Sequence, residues 1–171
     1  MPAPSKTQID KLGERLRAGS PDEPDLRELD EYRRSFGDAY EHVLSSIRQR
    51  LRLEPTGRPA KSTSSIVEKL RRESIRLTQI QDVAGCRLEV GNLAEQDAVV
   101  SSLLSLFPDT QVVDRRNRPS HGYRAVHVIV FVLGKAIEVQ VRTALQHRWA
   151  QVSERLSDMV DRSGHKVRRR A

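Results

Sequence analysis

Ala136-Ile-Glu-Val-Gln-Val-Arg142 alternates without a break: Ile137, Val139 and Val141 fall on one side of an extended chain, Glu138, Gln140 and Arg142 on the other. Period two marks a strand with one face in a core. A polar face made of an acid, an amide and a guanidinium is not core material. It is either an ordinary solvent face or a floor for chemistry, with Glu138 as metal ligand or base and the other two as anchors. If it is a floor, an isosteric Glu138→Gln change is expected to abolish the chemistry at little cost in stability.

Working outward, Tyr123–Leu133 is a second apolar run, and Leu133-Gly-Lys135 is a tight turn. The two runs read as an antiparallel hairpin. A helix is expected from about Thr143, with Leu145, Trp149, Val152, Leu156 and Met159 as its buried stripe. Before the hairpin, Arg115 to Gly122 reads as a basic, turn-rich loop, and Gln111–Asp114 as a short strand. Residues 94–107 read as a helix with Val99, Leu103 and Leu106 on one face, stopped by Phe107-Pro-Asp109. Asp82–Val90 reads as a strand, ended by Gly91-Asn92. A helix is expected over Ser62–Ile75, after a break at Pro55, Gly57 and Pro59. From Asp25, as N-cap, steps of three, four and seven through Leu26, Leu29, Phe36, Tyr40, Val43, Ile47 and Leu51 predict one long amphipathic helix. A short polar helix, Ser5–Arg17, precedes it. Helices packed on a mixed sheet make an α+β domain.

The chain has 171 residues and a formal net charge of +7, which favours an anionic partner such as a nucleotide or a nucleic acid. No apolar run approaches the ~20 residues a membrane helix needs, and Met1–Arg15 has no signal-like stretch. A cytoplasmic protein is expected. The single cysteine, Cys86, excludes an internal disulfide and a Cys-rich zinc site, and is expected to fill core space.

Three further segments can carry chemistry. At ~100° per residue, Lys61, Ser65, Lys69, Arg72 and Arg76 fall within about 80° on one helix face. This cationic stripe suits a triphosphate, or it is a solvated face diluted by Glu68. In Asp82-Val-Ala-Gly-Cys-Arg87, an acid at a strand end can hold Mg²⁺ beside phosphates. Asp82 and Arg87 have opposite strand parity, so one site takes both only if the strand bulges or twists near Gly85. The segment Arg115–His127 offers four arginines, two histidines and Tyr123. The Tyr123 ring is expected to project from a mobile loop, where it can stack on a base, and His127 can donate to a phosphate.

Four blocks in order, Lys61…Ser65-Ile-Val-Glu-Lys-Leu70, Asp82–Arg87, His121-Gly-Tyr-Arg-Ala-Val-His127 and Glu138-Val-Gln-Val-Arg-Thr…Trp149-Ala150, resemble the RelA/SpoT-type (p)ppGpp synthetase domain. The resemblance implies a nucleotidyltransferase-like mixed sheet flanked by helices. It implies transfer of the β,γ-pyrophosphate of ATP to the ribose 3′-hydroxyl of GDP or GTP. It also implies Mg²⁺ held by Asp82 and Glu138, with Glu138 activating the hydroxyl. Arg58, Lys61, Ser65, Lys69, Arg72 and Arg87 are then the expected ATP set. Arg118, His121, Tyr123, Arg124, His127, Gln140 and Arg142 are the expected acceptor set. Two blocks depart from the family pattern: His121 stands where an asparagine is usual, and Arg58 is three residues before Lys61 instead of two.

The expected division is 1–54 for N-terminal helices, 55–160 for the synthetase core and 161–171 for a basic tail. With no His-Asp hydrolase site, synthesis alone is expected. The N-terminal part resembles the small single-domain members, some of which are toxins. Three readings stay open: a free nucleotide as acceptor, the 3′ end of tRNA as acceptor, and an inactive RNA-binding module. A homo-oligomer and an antitoxin partner also stay open.

Overall fold

The computed structural model describes residues 4–19, 21–58, 60–117, 119, 122–153 and 155. Polar caps start the helices. Ser5 and Gln8 form a reciprocal cap on α1 (Lys6–Ala18). Asp22 accepts from the Asp25 amide at the head of α2 (Glu23–Arg34), so Asp22 and not Asp25 is the N-cap. Asp25 lies inside the first turn, where its carboxylate meets Arg15 Nε at 2.6 Å.

The one long helix expected from Asp25 is broken. After α2 the chain turns at Ser35-Phe36 and restarts as α3 (Gly37–Ser46), which widens into a π-turn, Ile47–Leu51. The Ser35 hydroxyl donates to the Tyr32 carbonyl at 2.6 Å, and glycine follows two residues later. Both residues weaken a helix interior. The break lets Tyr32 and Phe36 meet edge to face at 5.2 Å, with Lys135 Nζ over both rings.

Among the described residues five strands form one mixed sheet in the order β1-β2-β5-β4-β3: β1 (Thr56–Arg58), β2 (Ala84–Val90), β3 (Thr110–Asp114), β4 (Val126–Val132) and β5 (Lys135–Thr143). Among the described strands only β2 and β5 run parallel; their register pairs Gly85 with Glu138 and Arg87 with Gln140. The hairpin expectation holds for β4 and β5. Where Pro55, Gly57 and Pro59 predict a break, the chain instead forms β1. A Cβ on Gly57 would stand 2.6 Å from Cys86 Cα, so glycine is what lets this short edge strand lie against β2.

The apolar sheet face carries Ala84, Cys86, Leu88, Val126, Val128, Val130, Ile137, Val139 and Val141, all buried. Helices α3 and α5 (Leu93–Leu106) both contact β2, β4 and β5. Each such aliphatic side chain contributes about 1.5–3 kcal/mol when fully buried. On α5, Leu103 is fully buried while Val99 and Leu106 pack at its margin. Beside the sheet, α1 packs on α4 (Thr63–Glu73) and on a single turn, Leu77–Gln79. Ile9, Leu12 and Leu16 close this cluster with Ile66, Leu70 and Leu77.

The opposite sheet face stays open and polar. The helix of residues 144–153 does not bury the expected stripe. Leu145, Trp149 and Val152 are 77%, 49% and 48% exposed, whereas Ala150 is buried. Its inward side is polar: Gln146 accepts from the Thr143 amide and bonds Gln96, and His147 leans toward Glu89. Hydrogen bonds and the small buried Ala150, not the large apolar side chains, face inward on this helix, so its periodicity points to the wrong side. Leu156, Met159 and the whole 161–171 tail lie outside the described residues. No helix among the described residues is long and apolar enough to cross a membrane.

Candidate active site

Strict alternation on β5 places Glu138, Gln140 and Arg142 on the open face, as its sequence predicts. His127 of β4 pairs with Gln140 across the ladder and shares that face. The four side chains and Tyr123 close a ring of hydrogen bonds. Arg142 Nη2 donates to the Tyr123 hydroxyl at 2.5 Å and to Gln140 Oε1 at 2.8 Å. Gln140 Nε2 donates to Glu138 Oε2 at 2.7 Å. His127 Nδ1 meets Glu138 Oε1 at 2.6 Å, and its Nε2 meets the Tyr123 hydroxyl at 3.1 Å. A carboxylate only accepts, so the Nδ1–H donates to Glu138, while Nε2 donates to the tyrosine oxygen when the imidazole is charged and accepts from its O–H when it is neutral. Every member of the ring thereby fixes its neighbour's direction.

Glu138 is largely buried. Burial raises its pKa, but the bond and charge of His127 and the Gln140 amide outweigh this, and the carboxyl ends below its usual value. Tyr123 is not a ring projecting from a mobile loop. It is half-buried, and the Arg142 guanidinium lies 4.8 Å from its centroid. Burial raises the Tyr123 pKa, only partly offset by Arg142. Arg142 itself is 3% exposed, and its Nε has no partner among the described residues.

Asp82 stands in the turn before β2, not in the strand. Strand parity therefore does not separate it from Arg87, and no bulge is needed: the β2–β5 register runs unbroken from Ala84 to Val90. Gly85 is nonetheless essential. A Cβ there would stand 2.6 Å from the Glu138 carbonyl oxygen. Each Asp82 oxygen holds one ammonium: Oδ2 meets Lys61 Nζ at 2.7 Å and Oδ1 meets Lys69 Nζ at 2.9 Å. Burial raises the Asp82 pKa, yet the two lysines bring it below the usual carboxylate value. The solvated-face reading of the α4 stripe therefore fails for Lys61 and Lys69. It holds for Arg72, which is exposed beside Glu73.

Two cavities open on this face. One, of about 380 Å³, is lined by Thr56, Gly57, Asp82, Gly85, Cys86, Arg87, Glu138, Gln140 and Arg142. The other, of about 280 Å³, is lined by Lys69, Glu73, Ile75, Gln79, Gln81, Asp82, Val113, Arg115, His127, Ile129 and Glu138. Asp82 and Glu138 belong to both. Ser65 lies off these cavities, its hydroxyl bonded to Ser62. Arg124 lines a separate cleft with Leu145 and Trp149. Arg118 and His121 lie outside the described residues, as does the Arg58 side chain. Sequence reasoning missed Thr56 and Gly57, because a three-residue strand between prolines gives no periodic signal.

For Mg²⁺ the donor set fits. Both carboxylates are held ionised at a shared border, and Mg²⁺ beside phosphates takes one or two carboxylates. Among the described residues no group of three or more acidic, His or Cys side chains gathers, so phosphate and water would complete the shell.

A family profile described as a region found in RelA / SpoT proteins matches residues 57–157. Rv1366 of Mycobacterium tuberculosis is 38% identical over 107 residues, covering 60% of this chain and 39% of that protein. GTP pyrophosphokinase YjbM of Bacillus subtilis is 34% identical over 117 residues, covering 60% of this chain and 54% of its own length. The chain thus spans about half or less of the curated relatives it matches. Among solved structures, small alarmone synthetase 1 from Bacillus subtilis matches with a TM-score of 0.59 at 25% identity, over 82% of each chain. Its fold agrees with the α+β architecture expected from the sequence. Since the profile covers more than half of the residues, the chain belongs to the RelA/SpoT family.

Proposed function

We propose that the chain transfers the β,γ-pyrophosphate of ATP to the ribose 3′-hydroxyl of GDP or GTP, making (p)ppGpp. The observation that carries this reading is the pair of adjoining cavities that share Asp82 and Glu138. A transfer between two nucleotides needs two sites with anionic groups at their border, and little covalent help from the protein. The name of the relative YjbM, a GTP pyrophosphokinase, supports the same chemistry.

In this mechanism the acceptor oxygen attacks the β-phosphorus of ATP. The bond from that phosphorus to the α,β-bridging oxygen breaks, and AMP leaves. Glu138 takes the hydroxyl proton, with His127 and Gln140 aiming its oxygens. Lys69 from one cavity and Arg87 from the other grip the ATP phosphates across the shared border, with Lys61 beside Asp82 and Arg58, Ser65 and Arg72 at the margin. Tyr123 stacks on the acceptor base, while His127, Gln140 and Arg142, with Arg118, His121 and Arg124, orient the acceptor. Mg²⁺, held by Asp82 and Glu138, would neutralise charge on the transferring group.

The test is to incubate the protein with γ-labelled ATP and GDP, GTP or bulk tRNA. Label on GDP or GTP is expected. Label on tRNA alone would move the acceptor to the tRNA 3′ end, and no label anywhere would remove the enzymatic reading.

A further inference from the structure

We propose that Lys61 and Lys69 form a latch on Asp82 that keeps a divalent cation off this carboxylate until a triphosphate draws the lysines away. The inference rests on the proposed function and deepens it. Both Asp82 oxygens carry an ammonium, at 2.7 and 2.9 Å. A cation placed on either oxygen would meet a like charge at contact distance, in a pocket where all three side chains are at most 20% exposed. Like charges so placed repel strongly when water is largely excluded.

The latch is anchored on both sides. The Lys61 amide donates to the Val83 carbonyl at 2.5 Å, which ties its backbone to the turn that carries Asp82. Lys69 comes from α4, one further rigid element. The lysine stems are flexible, so the ammoniums can leave while the carboxylate stays. A triphosphate offers them more negative charge than Asp82 does. Once they move, the ionised carboxylate is free for the cation that accompanies the phosphates. The cation and the triphosphate therefore bind with positive coupling, and by linkage each strengthens the other equally. Lys61 and Lys69 act as positioning residues for Asp82 before they act on ATP.

The experiment measures binding and not turnover. Mn²⁺ is titrated into the full chain without nucleotide, and free Mn²⁺ is read by electron paramagnetic resonance. Lys61→Gln and Lys69→Gln are each expected to bind Mn²⁺ about 5-fold or more tighter than wild type, the low end of ordinary coupling. Adding Asp82→Asn to either should cancel the gain. Circular dichroism verifies the fold of each variant. A second measurement needs no lysine variant. With EDTA present, Asp82→Asn should bind a methylene-bridged ATP analogue several-fold tighter than wild type, because both lysines are already released. Unchanged or weaker Mn²⁺ affinity in both lysine variants overturns the latch, as does unchanged or weaker metal-free analogue binding by Asp82→Asn. If those affinities stay unchanged while wild type labels GDP or GTP, the latch alone falls. If they shift as expected and no acceptor is labelled, the proposed activity falls and the latch stands.

Discussion

At Glu138 an acid is worth more than its charge, because each oxygen also has a donor aimed at it. Glu138→Gln should cut transfer by roughly 10²–10⁴, the range for removing a positioned acid–base group. The structure adds a cost that the alternating strand did not announce. An amide puts a donor against either the His127 Nδ1–H or the Gln140 NH₂. One buried bond is lost, for about 1–3 kcal/mol. Urea unfolding should show that loss; unchanged stability would mean the ring of hydrogen bonds is idle. Tyr123 changes in the same direction. If only its ring mattered, Tyr123→Phe would be silent. Its hydroxyl bonds Arg142 and His127, so the phenylalanine variant should melt lower and raise the acceptor KM. Tyr123→Ala should raise the acceptor KM further and the ATP KM little, since stacking contributes roughly 1–3 kcal/mol per base. An equal rise in both constants would refute that role. Asp82 carries a pH signature. Its folded pKa is depressed by the two lysines, so it contributes stability above its unfolded pKa, about 3.9, and this is lost as pH falls through the folded value. The stability gap between wild type and Asp82→Asn should therefore be full at pH 7 and close on acidification below about pH 4. A gap independent of pH would contradict the pairing.

Elements show why some of this was legible and some was not. The β5 alternation exposed the site's floor because period two leaves no other arrangement with one face in a core. The hairpin was legible because the Leu133-Gly134 turn follows directly on an apolar run; both residues take positive φ. The α2–α3 break was not, since Phe36, Tyr40 and Val43 keep helical spacing through the turn and the signal of Ser35 and Gly37 is local. The last helix misled for the opposite reason. Its apolar stripe is regular, but its inward contacts are a glutamine, a histidine and an alanine. Tertiary hydrogen bonds decided the orientation, and periodicity does not read those. Gly85 is the element-scale position with the sharpest consequence. Gly85→Ala drives a Cβ to 2.6 Å from the Glu138 carbonyl oxygen, and backbone cannot swing aside as a side chain can. The expected cost is about 1–3 kcal/mol of overpacking, with transfer activity falling more than stability because Glu138 moves with its strand. A variant with wild-type activity and melting temperature would show that β2 and β5 part without consequence.

Across the described residues, one sheet has two unlike faces: α3 and α5 seal the apolar one, and cavities open on the polar one. The junction between them is the parallel pair, β2 with β5. A parallel pairing cannot be closed by a hairpin, so α5, β3 and β4 all lie in the chain between its two strands. Asp82 and Glu138 stand 56 residues apart in sequence, and that pairing sets them on one floor. Contacts of such separation form against a large loop entropy and are slow. During refolding from urea, helix signal should return first and the proposed transfer activity only with the slowest phase. Activity returning together with the helix signal would contradict this order. A nascent or half-folded chain would then carry Lys69 on α4 without the floor that Glu138 supplies, and the fold itself delays any chemistry at Asp82 and Glu138 until the last long-range pairing is made.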